Sequence, residues 1–258
     1  MSESTNTGAG STPALLSWGK RLRYALTPKR LYARLRAGRD LRRYESEMHL
    51  LPFLVDPTRD AVDGGANRGS YCYFLSRLCR HVHAFEPNPA MRAYLSGAVG
   101  SNVTIYADAL SDGAGEAVFA VPRKGKVFRN TSGTLEAGVY GADAARFSVR
   151  RTPLDALNLP PVGFIKLDVE GHELAALRGG SGLIARDRPV ILMEVMSELT
   201  GSPVMASVEA VEGMGYIGFA VVERRLELAR RVPVERFEAV RPSYPGSKRV
   251  NNFIFFPA

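Results

Sequence analysis

Ala61-Val62-Asp63-Gly64-Gly65-Ala66-Asn67-Arg68-Gly69-Ser70 carries the chain from an apolar strand, through a glycine-rich loop, into a helix. In open α/β sheets, ligands bind at the carboxyl ends of the strands. Small residues there let the backbone approach a ligand, and the helix that follows offers free N–H groups. The phosphate loop, G-x-x-x-x-G-K-[ST], finds its glycines in Gly64 and Gly69. Ser70-Tyr71 stand where its lysine is needed, so that reading fails. The dinucleotide pattern G-x-G-x-x-G starts from neither Gly64 nor Gly65, and Asp63 would repel a pyrophosphate.

An acid followed by glycines, with no phosphate to neutralise, suits S-adenosyl-L-methionine. Asp63-x-Gly65-x-Asn67-x-Gly69 fits it, with Asn67 in place of the commoner middle glycine. The next strand ends His83-Ala84-Phe85-Glu86-Pro87-Asn88-Pro89. Glu86 falls 23 residues beyond Asp63, near the ~20-residue offset of an acid that binds ribose hydroxyls. A third strand leads into Ala107-Asp108-Ala109, which places Asp108 at the adenine edge. The expected cofactor contacts are Asp63, Gly64, Gly65, Ala66, Asn67, Gly69, Glu86, Pro87, Asn88, Asp108 and Ala109. Three acids at three successive strand ends should ring one cleft.

Strands and helices alternate outward from the loop. Expected strands are 59–63, 81–85, 103–107, 116–121, 147–151, 164–169, 190–195, 216–222 and 252–256. Expected helices are 40–53, closed by Pro52, then 70–80, 89–98, 173–186 weakened by Gly179-Gly180, and 203–212. Seven main strands argue for one doubly wound α/β sheet, with the last strands forming an antiparallel hairpin. Residues 122–145, rich in Gly, Lys, Arg, Thr and Ser, read as an inserted hairpin and a mobile loop that covers a substrate.

Val62-Asp63-Gly64-Gly65-Ala66-Asn67-Arg68-Gly69 and Ala84-Phe85-Glu86-Pro87-Asn88-Pro89 resemble the FkbM family of S-adenosylmethionine-dependent methyltransferases. So do Thr152-Pro153-Leu154-Asp155, Ile165-Lys166-Leu167-Asp168-Val169-Glu170-Gly171-His172-Glu173, Met193-Glu194 and Asn251-Asn252-Phe253-Ile254-Phe255. The likeness covers roughly residues 45–257. It departs at Gly64, where members often carry Val or Ile. It implies a Rossmann-like class I methyltransferase fold and methyl transfer, usually to a hydroxyl of a sugar, polyketide or other metabolite.

Asp168 is expected beside the transferred methyl group, with Glu170 or His172 as base. Lys166 and Glu173 read as an ion pair or caps. Asp168, Glu170 and Glu194 could converge on a hard cation, but no His/Cys cluster supports a metal, and none is expected.

The chain has 258 residues and a net charge of +8. Residues 1–50 hold ten Lys/Arg against four acids, so the basicity is N-terminal. Residues 1–12 read as a disordered tail and 13–39 as basic amphipathic helices broken near Pro28. The methyltransferase domain is expected over 40–258. Leu15, Leu22, Leu26, Leu31 and Leu35 between the cations fit either a helix packed on the domain or one lying on an anionic membrane. No apolar run reaches the ~20 residues of a membrane span, and no secretory signal is visible. Cys72 and Cys79 read as reduced packing residues of a cytoplasmic protein. The expected partner is a small-molecule or glycan acceptor. A nucleic-acid methyltransferase and a non-catalytic membrane- or glycan-associated module that kept the fold are the alternatives. Against the first, Asn158-Leu159-Pro160-Pro161-Val162 is not a base-methylation signature.

Overall fold

The computed structural model describes residues 28–124, 127–129, 131–238 and 249–258. The expected tail 1–12 and most of the basic segment 13–39 lie outside them. Eight strands form one sheet in the order β12-β11-β13-β10-β9-β1-β2-β3. They are β1 (Asp60–Gly64), β2 (Val82–Phe85), β3 (Val103–Tyr106), β9 (Val162–Leu167), β10 (Val190–Glu194), β11 (Tyr216–Val222), β12 (Arg225–Leu228) and β13 (Asn252–Pro257). β1 lies in the middle, parallel to β2 and to β9. The residues of β1, β2 and β9 are all buried, as strands covered on both faces must be.

β13 runs antiparallel to both its neighbours, β10 and β11. The expected antiparallel pairing of the last strands is present, but inside the sheet and not at its edge. The edge is β12, which returns from β11 through Glu223 and Arg224, both at positive φ (47° and 69°). Such a turn matches the twist of paired strands.

The principal helices are α1 (Lys29–Arg43), α2 (Ser70–Leu75), α3 (Pro89–Leu95), α4 (Glu173–Arg178), α5 (Ser181–Asp187) and α6 (Val204–Glu212). One face of the sheet packs Met48, Leu51, Cys72, Leu75 and Leu95; the other packs Ala176, Leu177, Ile184, Val208 and Phe237. α4 and α5 replace the single expected helix, because the chain breaks at Gly179-Gly180. A Cβ on Gly179 would meet the Ser111 carbonyl oxygen at 2.0 Å.

The boundary expected at 39/40 falls inside α1, which runs through to Arg43. Asp40 holds it there: it is buried, accepts from Ser70 Oγ at 2.6 Å and pairs with Arg36 at 3.2 Å. The helix expected over 40–53 is therefore split into the end of α1, a 3-10 turn (Ser46–Leu50) and a single turn (Leu51–Leu54). Pro52 opens that last turn and does not close it. α1 docks through Ala33 and Ala37, and Leu31 and Leu35 face outward.

The insertion carries β5 (Gly115–Val121) antiparallel to β8 (Ala145–Thr152), with β4 (Ala109–Leu110) on the other edge of β8. A two-residue hairpin, β6 (Arg123–Lys124) and β7 (Val127–Phe128), projects from it. No helix among the described residues is long and apolar enough to cross a membrane.

Candidate active site

The loop after β1 is tied down from three sides. Gly65 and Ala66 donate their N–H groups to the Phe85 carbonyl at 3.0 and 2.9 Å. Asp168, just past β9, donates its N–H to the Gly64 carbonyl at 3.2 Å. Lys166 Nζ donates to the carbonyls of Gly64 (3.2 Å) and Gly65 (3.0 Å) from below. Gly65 sits at φ +74°, and a Cβ there would lie 1.9 Å from the Asp168 carbonyl oxygen. Glycine is therefore required where the loop crosses the end of β9.

Asp63 does not ring the cleft, contrary to expectation. It is fully buried, in register with Lys166 on the neighbouring strand, and its carboxylate lies 3.6 Å from Lys166 Nζ. The Cys72 thiol donates to it at 3.0 Å. A carboxylate on β1 that faces a buried ammonium on β9 supports the loop from beneath and is out of a ligand's reach. Gly64 and Gly69 shape the loop, and Ala66 faces a side recess behind it. Asn88 caps α3, accepting from Ala90 N at 3.0 Å, and donates its own N–H to Glu86 at 2.8 Å.

The other expected contacts converge. One cleft is lined by Gly65, Asn67, Glu86, Pro87, Asp108 and Ala109, and by Asp168, Glu170 and His172 opposite. The Glu86 carboxylate accepts the N–H of Asn67 at 2.7 Å and of Asn88 at 2.8 Å, which leaves a lone pair on each oxygen. Burial raises its pKa to about 7 against those two donors. Asp108 lines the cleft, but both its oxygens already accept from Arg150 on β8, each at 2.8 Å.

Asp168 hydrogen-bonds Glu194 at the end of β10 and lies 3.5 Å from Lys166 Nζ. Burial, and then the Asp168 charge, raises the Glu194 pKa well above the ordinary value. Glu170, at φ 54°, has its pKa raised to about 8 by burial and by the charges of Asp168 and Glu173. Glu173 does not pair with Lys166. It accepts the N–H groups of Val169 (2.9 Å) and Gly171 (3.2 Å), capping the turn into α4. Burial raises its pKa to about 7 despite them.

His172 is engaged at both ring nitrogens. Nδ1 lies 2.6 Å from Glu136 and Nε2 lies 2.9 Å from Ser111 Oγ. Thr134 Oγ1 donates to the Glu170 carbonyl at 2.6 Å. Residues 131–136 of the insertion thus lie over the cleft, hooked to the two residues expected to act as base. Glu136, Thr134 and Ser111 have no sequence signal, since nothing in their spacing ties them to His172. Glu45, also unforeseen, has its pKa raised to about 9 by burial, by a hydrogen bond and charge from Glu47, and by Asp168. Among the described residues no three His, Cys, Asp or Glu are arranged to hold a metal ion.

The family described as "Methyltransferase FkbM domain" matches residues 63–216. This chain belongs to the FkbM methyltransferase family. The match spans the glycine loop, the strand-end acids and the Asp168–Glu173 turn. S-adenosylmethionine is the cofactor. The chain resembles the solved FkbM methyltransferase from Methylobacillus flagellatus KT at 14% identity and TM-score 0.46, covering 78% of this chain and 44% of that one. It therefore spans less than half the length of that FkbM protein. A TehB-like SAM-dependent methyltransferase from Corynebacterium glutamicum is similar at 13% identity and TM-score 0.45, covering 89% and 98%. An rRNA methylase from Streptococcus thermophilus is similar at 13% and 0.43, covering 83% and 95%. A search of curated proteins finds no match.

The FkbM site fits its cofactor. Asn67 Oδ1 is buried with no hydrogen-bond partner at the lip of the cleft, an acceptor awaiting a donor. Glu86, with a lone pair free on each oxygen, would take the ribose hydroxyls, and Asp108 and Ala109 line the same cleft.

Proposed function

We propose that this protein transfers a methyl group from S-adenosylmethionine to a hydroxyl oxygen of a sugar, polyketide or other small metabolite, free or in a glycan. One observation carries the reading: the strand-end residues Gly65, Asn67, Glu86 and Asp108 share a single cleft with Asp168, Glu170 and His172. The bound sulfonium supplies an already activated methyl group. The chain's task is to align the acceptor and take its proton. Alignment alone can contribute ~7–11 kcal/mol.

Asp168 places negative charge at the reacting end. Glu170 is the base. Its side chain has no hydrogen-bond partner among the described residues, and a pKa raised to about 8 makes its ionised form a stronger base than an ordinary carboxylate. Both nitrogens of His172 are occupied, so His172 holds the covering segment in place. Residues 131–136 keep water out.

Calorimetry with S-adenosylhomocysteine, followed by mass spectrometry of hydroxylated metabolites incubated with S-adenosylmethionine, tests the reading. O-methylated products are expected, with Glu170→Gln lowering kcat by ~10²–10⁴-fold at unchanged cofactor affinity. Methylation found only on carbon or on RNA bases would overturn it. A peripheral membrane contact of the N-terminal segment is a separate reading, favoured by Leu31 and Leu35 facing outward between arginines. Equal binding to anionic vesicles with and without residues 1–36 would dismiss it.

A further inference from the structure

A second recess opens on the carboxyl-end edge of the sheet, between the end of α1, the β11–β12 turn and the start of β13. It encloses about 330 Å³, within the ~300–1,000 Å³ typical of small-molecule sites. Five arginines line it, against Glu47 and Glu223. Arg249 is already paired: it donates to Glu198 at 2.6 Å and to the Phe237 carbonyl at 2.9 Å. Arg42, Arg43, Arg224 and Arg236 have no ion-pair partner among the described residues. They come from three separate stretches of chain: the last turn of α1, the β11–β12 turn and residues 235–238.

Four guanidinium groups around one groove, with no ion-pair partner among the described residues, repel one another unless an anion joins them. Their planar forks match phosphate oxygens two at a time. One carboxylate would answer one of them, whereas a diphosphate can answer several. Among the described residues, Tyr44 is the one aromatic that lines the groove. Tracks for single-stranded nucleic acid need a series of such rings for base stacking.

The groove and the cleft share no lining residue, and buried, hydrogen-bonded side chains stand between them along two paths. Glu47, on its wall, accepts from the Tyr71 hydroxyl at 2.7 Å. Tyr71 in turn shares a recess with Gly65, Asn67 and Asp168. Asn251, also on the wall, donates to Glu194, which hydrogen-bonds Asp168.

We infer that this groove is a second binding site, which takes a small molecule bearing a phosphate or diphosphate on Arg42, Arg43, Arg224 and Arg236.

Inorganic pyrophosphate, titrated calorimetrically into the full chain, tests it. Binding that weakens with salt is expected, and at least tenfold weaker binding in the Arg42→Ala/Arg224→Ala double variant. Arg236→Gln, on a different element, should weaken it as well, and S-adenosylhomocysteine should bind all these variants like the parent. No pyrophosphate binding, or equal binding by the variants, overturns the inference. A single-stranded RNA oligonucleotide that binds the parent better than pyrophosphate and is lost in the same variants also overturns it, assigning the groove to nucleic acid. Failure of S-adenosylhomocysteine to bind the parent would instead remove the methyl-transfer reading, whatever pyrophosphate does.

Discussion

Glu86, as the proposed ribose acceptor, would link the protonation of one side chain to the grip on the cofactor. Two backbone donors favour its carboxylate, yet burial still raises the pKa to about 7. In the proposed contact the carboxylate is the form that would accept both ribose hydroxyls, so affinity should fall as pH drops through that value. Binding of S-adenosylhomocysteine is expected to be about tenfold weaker at pH 6 than at pH 8, and Glu86→Gln should flatten that dependence; calorimetry at the two pH values checks both. Gly65 is the other sharp test at this scale. Gly65→Ala meets both a positive φ and a backbone oxygen at 1.9 Å. It should cost more than about 2 kcal/mol in denaturant unfolding. Glu86, Asn67 and Gly65 were legible in the sequence because each lies at a fixed offset from a strand end. Asp63 was misplaced for a related reason. The pattern marks which residue ends the strand, but the partner that draws its carboxylate inward, Lys166, lies 103 positions away.

At the scale of elements, the segment 131–136 joins the insertion to the turn before α4. Its hooks are Thr134 on the Glu170 carbonyl and Glu136 on His172. Glu136→Ala should loosen that cover. Faster amide exchange over 131–136 and faster release of S-adenosylhomocysteine are expected, read by mass spectrometry and stopped flow, and unchanged exchange would separate Glu136 from any covering role. Composition announced a loop over 122–145 and placed its flanking strands within two residues. It held nothing about where the loop lands, because loop contacts follow no period. The helices show the same limit. Apolar spacing located α2 and α3 correctly but ran them too long, since the residues beyond Leu75 and Leu95 turn away to reach the next strands. Leu31 and Leu35 fitted either a packing face or a membrane-facing one; the alanines of α1 allow the closer approach and occupy the interface with the domain.

For the whole molecule, several buried carboxyls carry pKa values above the ordinary 4.5: Glu45 at about 9, Glu170 at about 8, Glu173 at about 7, and Glu194 raised further by Asp168. Above pH 4.5 the folded chain keeps protons that the unfolded chain has released, so stability falls as pH rises through these values. His83, held below its ordinary 6.5 by burial, works in the opposite direction only below that pH. The denaturant midpoint should therefore drop between pH 7 and pH 9, and Glu194→Gln should shallow the drop. A midpoint that rises over this range would contradict the burial of these acids. That the strands form one doubly wound sheet was legible from the alternation of strand and helix. The position of β13 was not, because alternation says nothing about which gap a late strand fills. That gap has a consequence for synthesis. β10 and β11 are both translated before residues 252–257 exist, and until Pro257 clears the ribosome each presents an open edge to the other across an empty slot. The nascent domain must wait for its final strand before the sheet can close, and in that interval its middle, not its rim, is what chaperones must shield.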